Sequence, residues 1–148
     1  ATAVAKVSKK VMKRPSAGEK TLKVALATDG RQIVKCAKRS DLTNWLRRHH
    51  NMAGTVWLER WKQGSTSYIP QADVVKELLC WGWIDSTVRK LDEKRSLLMI
   101  SPRRAGSAWS KLNKTYVAEL ERSGRLQKSG VEKIVRAKAD GSWVFLDD

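Results

Sequence analysis

The stretch Leu79–Asn113, LCWGWIDSTVRKLDEKRSLLMISPRRAGSAWSKLN, decides how this chain reads. Leu79, Cys80 and Trp81 close a helix that Gly82 stops, because glycine takes the left-handed conformation of a helix end without steric cost. Ile84–Leu91 and Arg95–Ser101 follow as two strands around Asp92-Glu93-Lys94, the pattern of an antiparallel hairpin. In the second strand Leu97 and Met99 alternate with Leu98 and Ile100. Apolar side chains on both faces put that strand inside a sheet rather than at its edge. The turn Pro102-Arg103-Arg104-Ala105-Gly106-Ser107 then leads to a predicted helix, Ser107–Ser123, with Trp109, Leu112, Tyr116 and Leu120 on one stripe and Gly124 closing it.

Upstream, Thr21–Ala27 and Gln32–Lys38 alternate apolar and polar residues across Thr28-Asp29-Gly30-Arg31, and an Asp-Gly between such runs signals a hairpin. Ser40 or Asp41 is placed to cap a helix carrying Leu42, Trp45 and Leu46. Its end holds His49 and His50, which point about 100° apart on a helix and so make a poor chelating pair. Thr55–Lys62 reads as a strand with Val56 and Leu58 on one face and Trp57, Glu59 and Trp61 on the other. Pro70 opens the helix Gln71–Trp81, which is expected to bury Ala72, Val75, Leu78 and Leu79. Downstream, Ser129 and Glu132 have the spacing of a capping box, on a helix expected to bury Val131, Ile134 and Val135. Gly141 ends it, with Trp143 and Phe145 docking behind. The predicted class is α+β: a small, mostly antiparallel sheet packed with about four helices, preceded by a basic extension.

The 148 residues suit one domain, residues 31–148, with residues 1–30 as a basic extension expected to be flexible. The formal charge is +15. Of the 30 Lys and Arg, eleven lie in the first 39 residues against only Glu19 and Asp29, while all seven Trp lie after residue 44. Charge excess is therefore concentrated in the part of the chain that has no tryptophan. Such a balance favours polyanionic partners: nucleic acid, an acidic membrane face or an acidic protein surface, of which nucleic acid or the protein surface is expected here. Lys9, Lys10, Lys13 and Arg14 are the densest basic cluster and the expected tail contacts.

Cys36 and Cys80 have no CxxC spacing, which fits two free thiols in a reducing intracellular compartment; cytoplasm, nucleus and organelle all remain open. No apolar run is long enough to span a bilayer, no metal-ligand cluster is visible, and the glycines form no phosphate-loop pattern. No cofactor is implied.

Two guanidiniums before a Gly-Ser at a predicted helix start are the pattern expected of an anion site, because Arg pairs with phosphate or carboxylate in bidentate fashion and helix N-termini favour anions. Arg103, Arg104, Ser107, Lys111 and Lys114 are the candidate anion-binding residues, with Asp85, Arg89, Trp83, Trp109 and Asn113 in support. The structural alternative is that one Arg pairs with Asp85 or Glu59 and Ser107 is only a cap. Asp85 has no partner at catalytic spacing, so its expected role is to orient an arginine. Trp45 and Trp109 are spaced as core residues, whereas Trp57, Trp61, Trp81 and Trp83 are open to either core or base-stacking roles.

Several blocks resemble the YdeI/OmpD-associated family, also labelled bacteriocin-protection proteins. They are Trp45-Leu46, Gly54-Thr55-Val56-Trp57-Leu58, Leu79-Cys80-Trp81-Gly82-Trp83-Ile84-Asp85-Ser86, Ser101-Pro102-Arg103-Arg104, Ser107-Ala108-Trp109-Ser110-Lys111-Leu112-Asn113-Lys114 and Ala137-Lys138-Ala139-Asp140-Gly141-Ser142-Trp143. They occur in the family's order. Trp81 is a mild departure, and lysine-rich residues 1–30 lie outside the resemblance. The resemblance implies a small soluble protein with a role in resistance to bacteriocins or antimicrobial peptides and no established reaction. A charge of +15 opposes direct capture of cationic peptides. The expected function is therefore a non-catalytic module binding an anionic partner, with stress protection or an accessory role in a large assembly as alternatives.

Overall fold

The computed structural model describes residues 24–146, so the expected tail contacts Lys9, Lys10, Lys13 and Arg14 lie outside the described residues. Among the described residues there are four strands: β1 (Ile33–Val34), β2 (Val56–Trp61), β3 (Trp83–Lys90) and β4 (Arg95–Pro102). Four helices accompany them: α1 (Arg39–His49), α2 (Gln71–Trp81), α3 (Lys111–Arg122) and α4 (Lys128–Asp140). A 3-10 turn at Ser142–Val144 follows the last helix. The fold is α+β, as the sequence pattern requires.

The strands lie in the order β1-β2-β4-β3, with β1 parallel to β2 and the other pairs antiparallel. The doubly apolar strand β4 is interior. Its register sets Trp57 opposite Met99, Asp85 opposite Ile100 and Trp83 opposite Pro102, with an irregularity between Asp85 and Val88. Val56, Leu58, Leu98 and Ile100 join the main core with Leu42, Leu46, Val74, Leu78 and Trp83. Alternation sends Trp57, Glu59, Trp61, Arg95 and Leu97 to the other face. There Trp57 donates its indole N–H to Asp29 at 3.0 Å, and the Arg89 guanidinium sits 4.8 Å from its ring. Buried Glu59 accepts from Arg95 at 2.7 Å and from Trp61 at 3.2 Å. Interleaved aromatic, basic and acidic groups line this second face.

Two glycines fix how α4 docks. Gly82 ends α2 with φ of 80°, and a Cβ there would lie 2.9 Å from the Ser129 carbonyl. Gly130 faces the last turn of α2 so closely that a Cβ would collide with the Cys80 carbonyl and lie 2.8 Å from that of Leu79. Ser129 does not cap α4. Its hydroxyl donates to the Trp81 carbonyl at 2.9 Å, and Gln127 holds the cap position, so no capping box with Glu132 forms. Because Gly130 rather than a larger residue makes the close approach, α4 buries Gly130, Ile134 and Ala137, leaving Val131 and Val135 exposed.

Other expectations shift for comparable reasons. Helix α1 starts earlier than a Ser40 or Asp41 cap would allow: Lys38 holds the cap position, and Asp41 reaches back to accept from the Ala37 N–H at 2.9 Å. In α2, Val74 and Glu77 are buried alongside Leu78 and Leu79, while Ala72 and Val75 are only half-buried. Glu77 is tolerated because Arg39, at 2.9 Å, and the Trp81 indole, at 3.1 Å, both donate to it. Helix α3 begins at Lys111 rather than Ser107, Leu112 is exposed, and Val117 and Leu120 carry the buried stripe. Phe145 is exposed, so of the two expected anchors Trp143 docks the C-terminal turn, with Ser142 buried beside it. The predicted first hairpin reduces to a tight turn with one bridge, Leu26 to Gln32, while residues 21–23 of its first arm lie outside the described residues. No helix among the described residues is long and apolar enough to cross a membrane.

Candidate anion-binding site

The end of β4 delivers the two arginines to different environments. The Arg103 N–H donates to the Gly82 carbonyl at 2.9 Å, which keeps residue 103 tied to the end of α2. Its side chain turns inward, 2% exposed, with the guanidinium 3.6 Å from the centre of the Trp109 ring. It donates to the Ala108 carbonyl at 2.9 Å and to Asn113 at a longer 3.4 Å. Arg103 therefore closes the Arg104–Ser110 loop onto Trp109. Burial lowers its pKa to about 10, offset by the charge of Asp85, and it stays cationic at neutral pH. Arg104 next to it is exposed.

The expected partners are not ion-paired to this guanidinium. Glu59 is engaged by Arg95, and Asp85 makes no ion pair within 4 Å among the described residues, acting on Arg103 only through its field. Ser107 lies in the turn rather than at a helix start, and its hydroxyl is buried without a hydrogen-bond partner. Ser110 caps α3 instead, accepting from the Asn113 N–H at 3.0 Å. Lys111 is exposed on the first turn of α3, and Lys114 lies half-buried 5.6 Å from the Trp143 ring. Trp83 is a core residue, 1% exposed, donating to the His50 carbonyl and meeting Trp45 edge-on. Arg89 sits on Trp57 toward the far end of β3, away from the turn. Trp57 and Trp81 are buried, and Trp61 is half-covered by Arg95.

Helix α4 supplies the residues that the sequence pattern did not single out. A cavity of about 10 Å³ is bounded by Arg103, Arg104, Gly106 and Trp109 on one side and by Lys133, Arg136 and Asp140 on the other. Four cations thus share it with one carboxylate. Lys133 donates to the Arg103 carbonyl, and its pKa is lowered first by burial and then by the charges of Arg136 and Arg103. Asp140 is held below the usual carboxylate range, mainly by the Ser142 hydroxyl and backbone N–H, at 2.7 and 2.9 Å. The aromatic array continues outward. Trp109 meets Trp143 at 5.1 Å, and Lys138 sits 4.9 Å from the Trp143 ring. The spacing of Lys133, Arg136 and Asp140 on one helical face was the signal in the sequence.

A second concavity, about 390 Å³, adjoins the first and shares Arg103 and Arg104 with it; Asn51–Thr55, Ser101 and Pro102 complete its walls. Among the described residues no group of three or more His, Cys, Asp or Glu is arranged to hold a metal ion.

No curated protein and no solved structure matches this chain. A protein-family model does, over residues 34–133, which include β4, the Arg103–Arg104 turn and the start of α4. The chain belongs to the family described as Domain of unknown function (DUF8412).

Proposed function

We propose that this protein is a non-catalytic module that binds an anionic partner, with nucleic acid as the best-fitting class. One observation carries the reading: Arg103, Arg104, Lys133 and Arg136 converge on one concave site against a single carboxylate. Clustering like charges at a partly buried place is unfavourable unless an anion offsets it. The exposed Lys111 and the aromatic-basic array around Trp143 extend the same character, and interleaved arginine and tryptophan suit a phosphate-bearing chain. Lysines of residues 1–20 add charge that strengthens binding at low salt.

The test is fluorescence anisotropy of a labelled oligonucleotide titrated with the full chain across a salt series. Removing one phosphate-binding cation should lower the slope of log affinity against log salt by about one. Arg104→Glu and Arg136→Glu should weaken binding and flatten that slope, and deleting residues 1–20 should flatten it further. Lys62→Glu makes the same charge change at the opposite end of the sheet and should have a smaller effect. Absence of binding at about 50 mM salt sinks the proposal. The protective role implied by the YdeI/OmpD-associated resemblance rests on the sequence blocks alone, and the charge of +15 works against direct capture of a cationic peptide.

A further inference from the structure

We propose that the small cavity is a subsite for the terminal phosphate of a phosphate monoester, whose sugar lies in the adjoining groove. This rests on the anion-binding reading and narrows it to a chain end or a nucleotide. The cavity has room for about one water-sized group, so an oxyanion places one oxygen inside and the remainder at the mouth, toward exposed Arg104 and Arg136. Such a pit accepts a terminus. A diester backbone running past needs a channel open at both ends.

Two observations make this more than a basic patch. Arg103 is 2% exposed, lines the cavity, and keeps its Nε–H without an acceptor among the described residues. Buried donors are nearly always satisfied, and a guanidinium with spare N–H groups is suited to phosphate oxygens. Second, Asp140 is the one carboxylate lining the cavity against four cations among the described residues, with Asp85 and Glu132 acting on Arg103 and Lys133 only through their fields, so the wall carries a net positive charge. Lys133, pressed between burial and two neighbouring arginines, gains from an added anion in the same way. A monoester carries more charge than a diester and meets this excess better.

The groove next to it selects the rest of the ligand. Its volume of about 390 Å³ falls in the range of small-molecule sites, roughly 300–1,000 Å³. Asn51, Thr55 and Ser101 offer uncharged donors and acceptors, Met52 adds an apolar patch, and among the described residues the arginines it shares with the cavity are the charged groups of its lining. That lining fits a sugar with its base and gives no reason to favour a second charged group. The common chemistry is a sugar phosphomonoester, whether free or at the end of a nucleic acid.

The experiment uses the full chain and two 3′-labelled single-stranded oligonucleotides of one sequence, one with a 5′-phosphate and one with a 5′-hydroxyl. The expected result is about tenfold tighter binding of the phosphorylated strand, the worth of a charge-assisted hydrogen-bond set. Arg104→Gln and Arg136→Gln, both exposed residues, should weaken the phosphorylated strand more than the hydroxyl strand, so that the preference is lost while both strands lose some salt-sensitive affinity. Adenosine monophosphate and inorganic phosphate then compete for the phosphorylated strand. Displacement by the nucleotide at lower concentration than by phosphate supports the groove and a free nucleotide as ligand. A retained end preference without nucleotide competition assigns the site to nucleic-acid ends. Equal, salt-sensitive binding of both strands overturns the subsite and leaves the polyanion reading intact, whereas failure of both strands to bind overturns both. An end preference that survives both variants also removes it from this cavity.

Discussion

Arg103 and Arg104 are neighbours of one residue type with opposite roles. Arg103 is packed on Trp109 and holds the Ala108 carbonyl, whereas Arg104 is exposed. Arg103→Met should cost about 2–3 kcal/mol, because it removes a charge-assisted hydrogen bond and the stacking of the guanidinium on the indole. Arg104→Met should change stability by less than about 0.5 kcal/mol. Urea denaturation followed by tryptophan fluorescence measures both, with the m-value unchanged. The dipeptide alone did not show which arginine turns inward, because that depends on Trp109 and Asn113 closing a loop. Nor did local pattern separate Ser107 from Ser110 as the cap, since both are serines ahead of a helical run. Two other side chains set an acid response. The Arg31 backbone N–H holds Asp29 at about 2, and the Arg95 guanidinium does the same for Asp92. An unfolded Asp titrates near 3.9. These depressed values stabilise the folded state fully above about pH 5, and the contribution is lost as pH falls through the folded values near 2. Melting temperature should therefore fall between pH 5 and pH 2, and Asp92→Asn should make that fall shallower.

The elements were legible where their pattern was local. The β3–β4 hairpin, the span of α2 and its stop at Gly82 all follow from alternation, periodicity and one glycine. The inward face of α4 followed only at Ile134, because apolar periodicity favours the larger Val131 and Val135 while the close contact uses Gly130 and Ala137. A helix that approaches another backbone closely is selected by the absence of side chain, which a hydrophobic count does not register. Gly130→Ala should therefore destabilise by about 3 kcal/mol, although alanine favours helix elsewhere, because the added methyl collides with the Cys80 carbonyl. Ala139→Gly, at an exposed position on the same helix, should cost only about 1 kcal/mol. The ordering of these two costs in thermal melts checks the packing. It also bears on the site, since displacement of α4 would carry Lys133 and Arg136 away from Arg103.

At the scale of the molecule, the α+β class and the interior place of β4 were readable from the sequence, since only an interior strand is apolar on both faces. The site was half readable: its turn lies in one sequence block, but its other wall comes from a helix about thirty residues later, brought there by packing. Cys36 and Cys80 report on the same core. Burial raises their pKa values, to about 12 and about 11, so neither forms much thiolate at neutral pH. A thiol reagent at pH 8 should leave both unlabelled in the native protein and modify both in urea. The strand order has a further, kinetic consequence. Strands β3 and β4 are joined by a short turn, so their pairing closes a small loop at little entropic cost. Strand β2 pairs with β4 only after the chain between them, including α2, has been drawn in. The hairpin is thus the natural early template, and the docking of β2 is the slow, topology-limited step of folding.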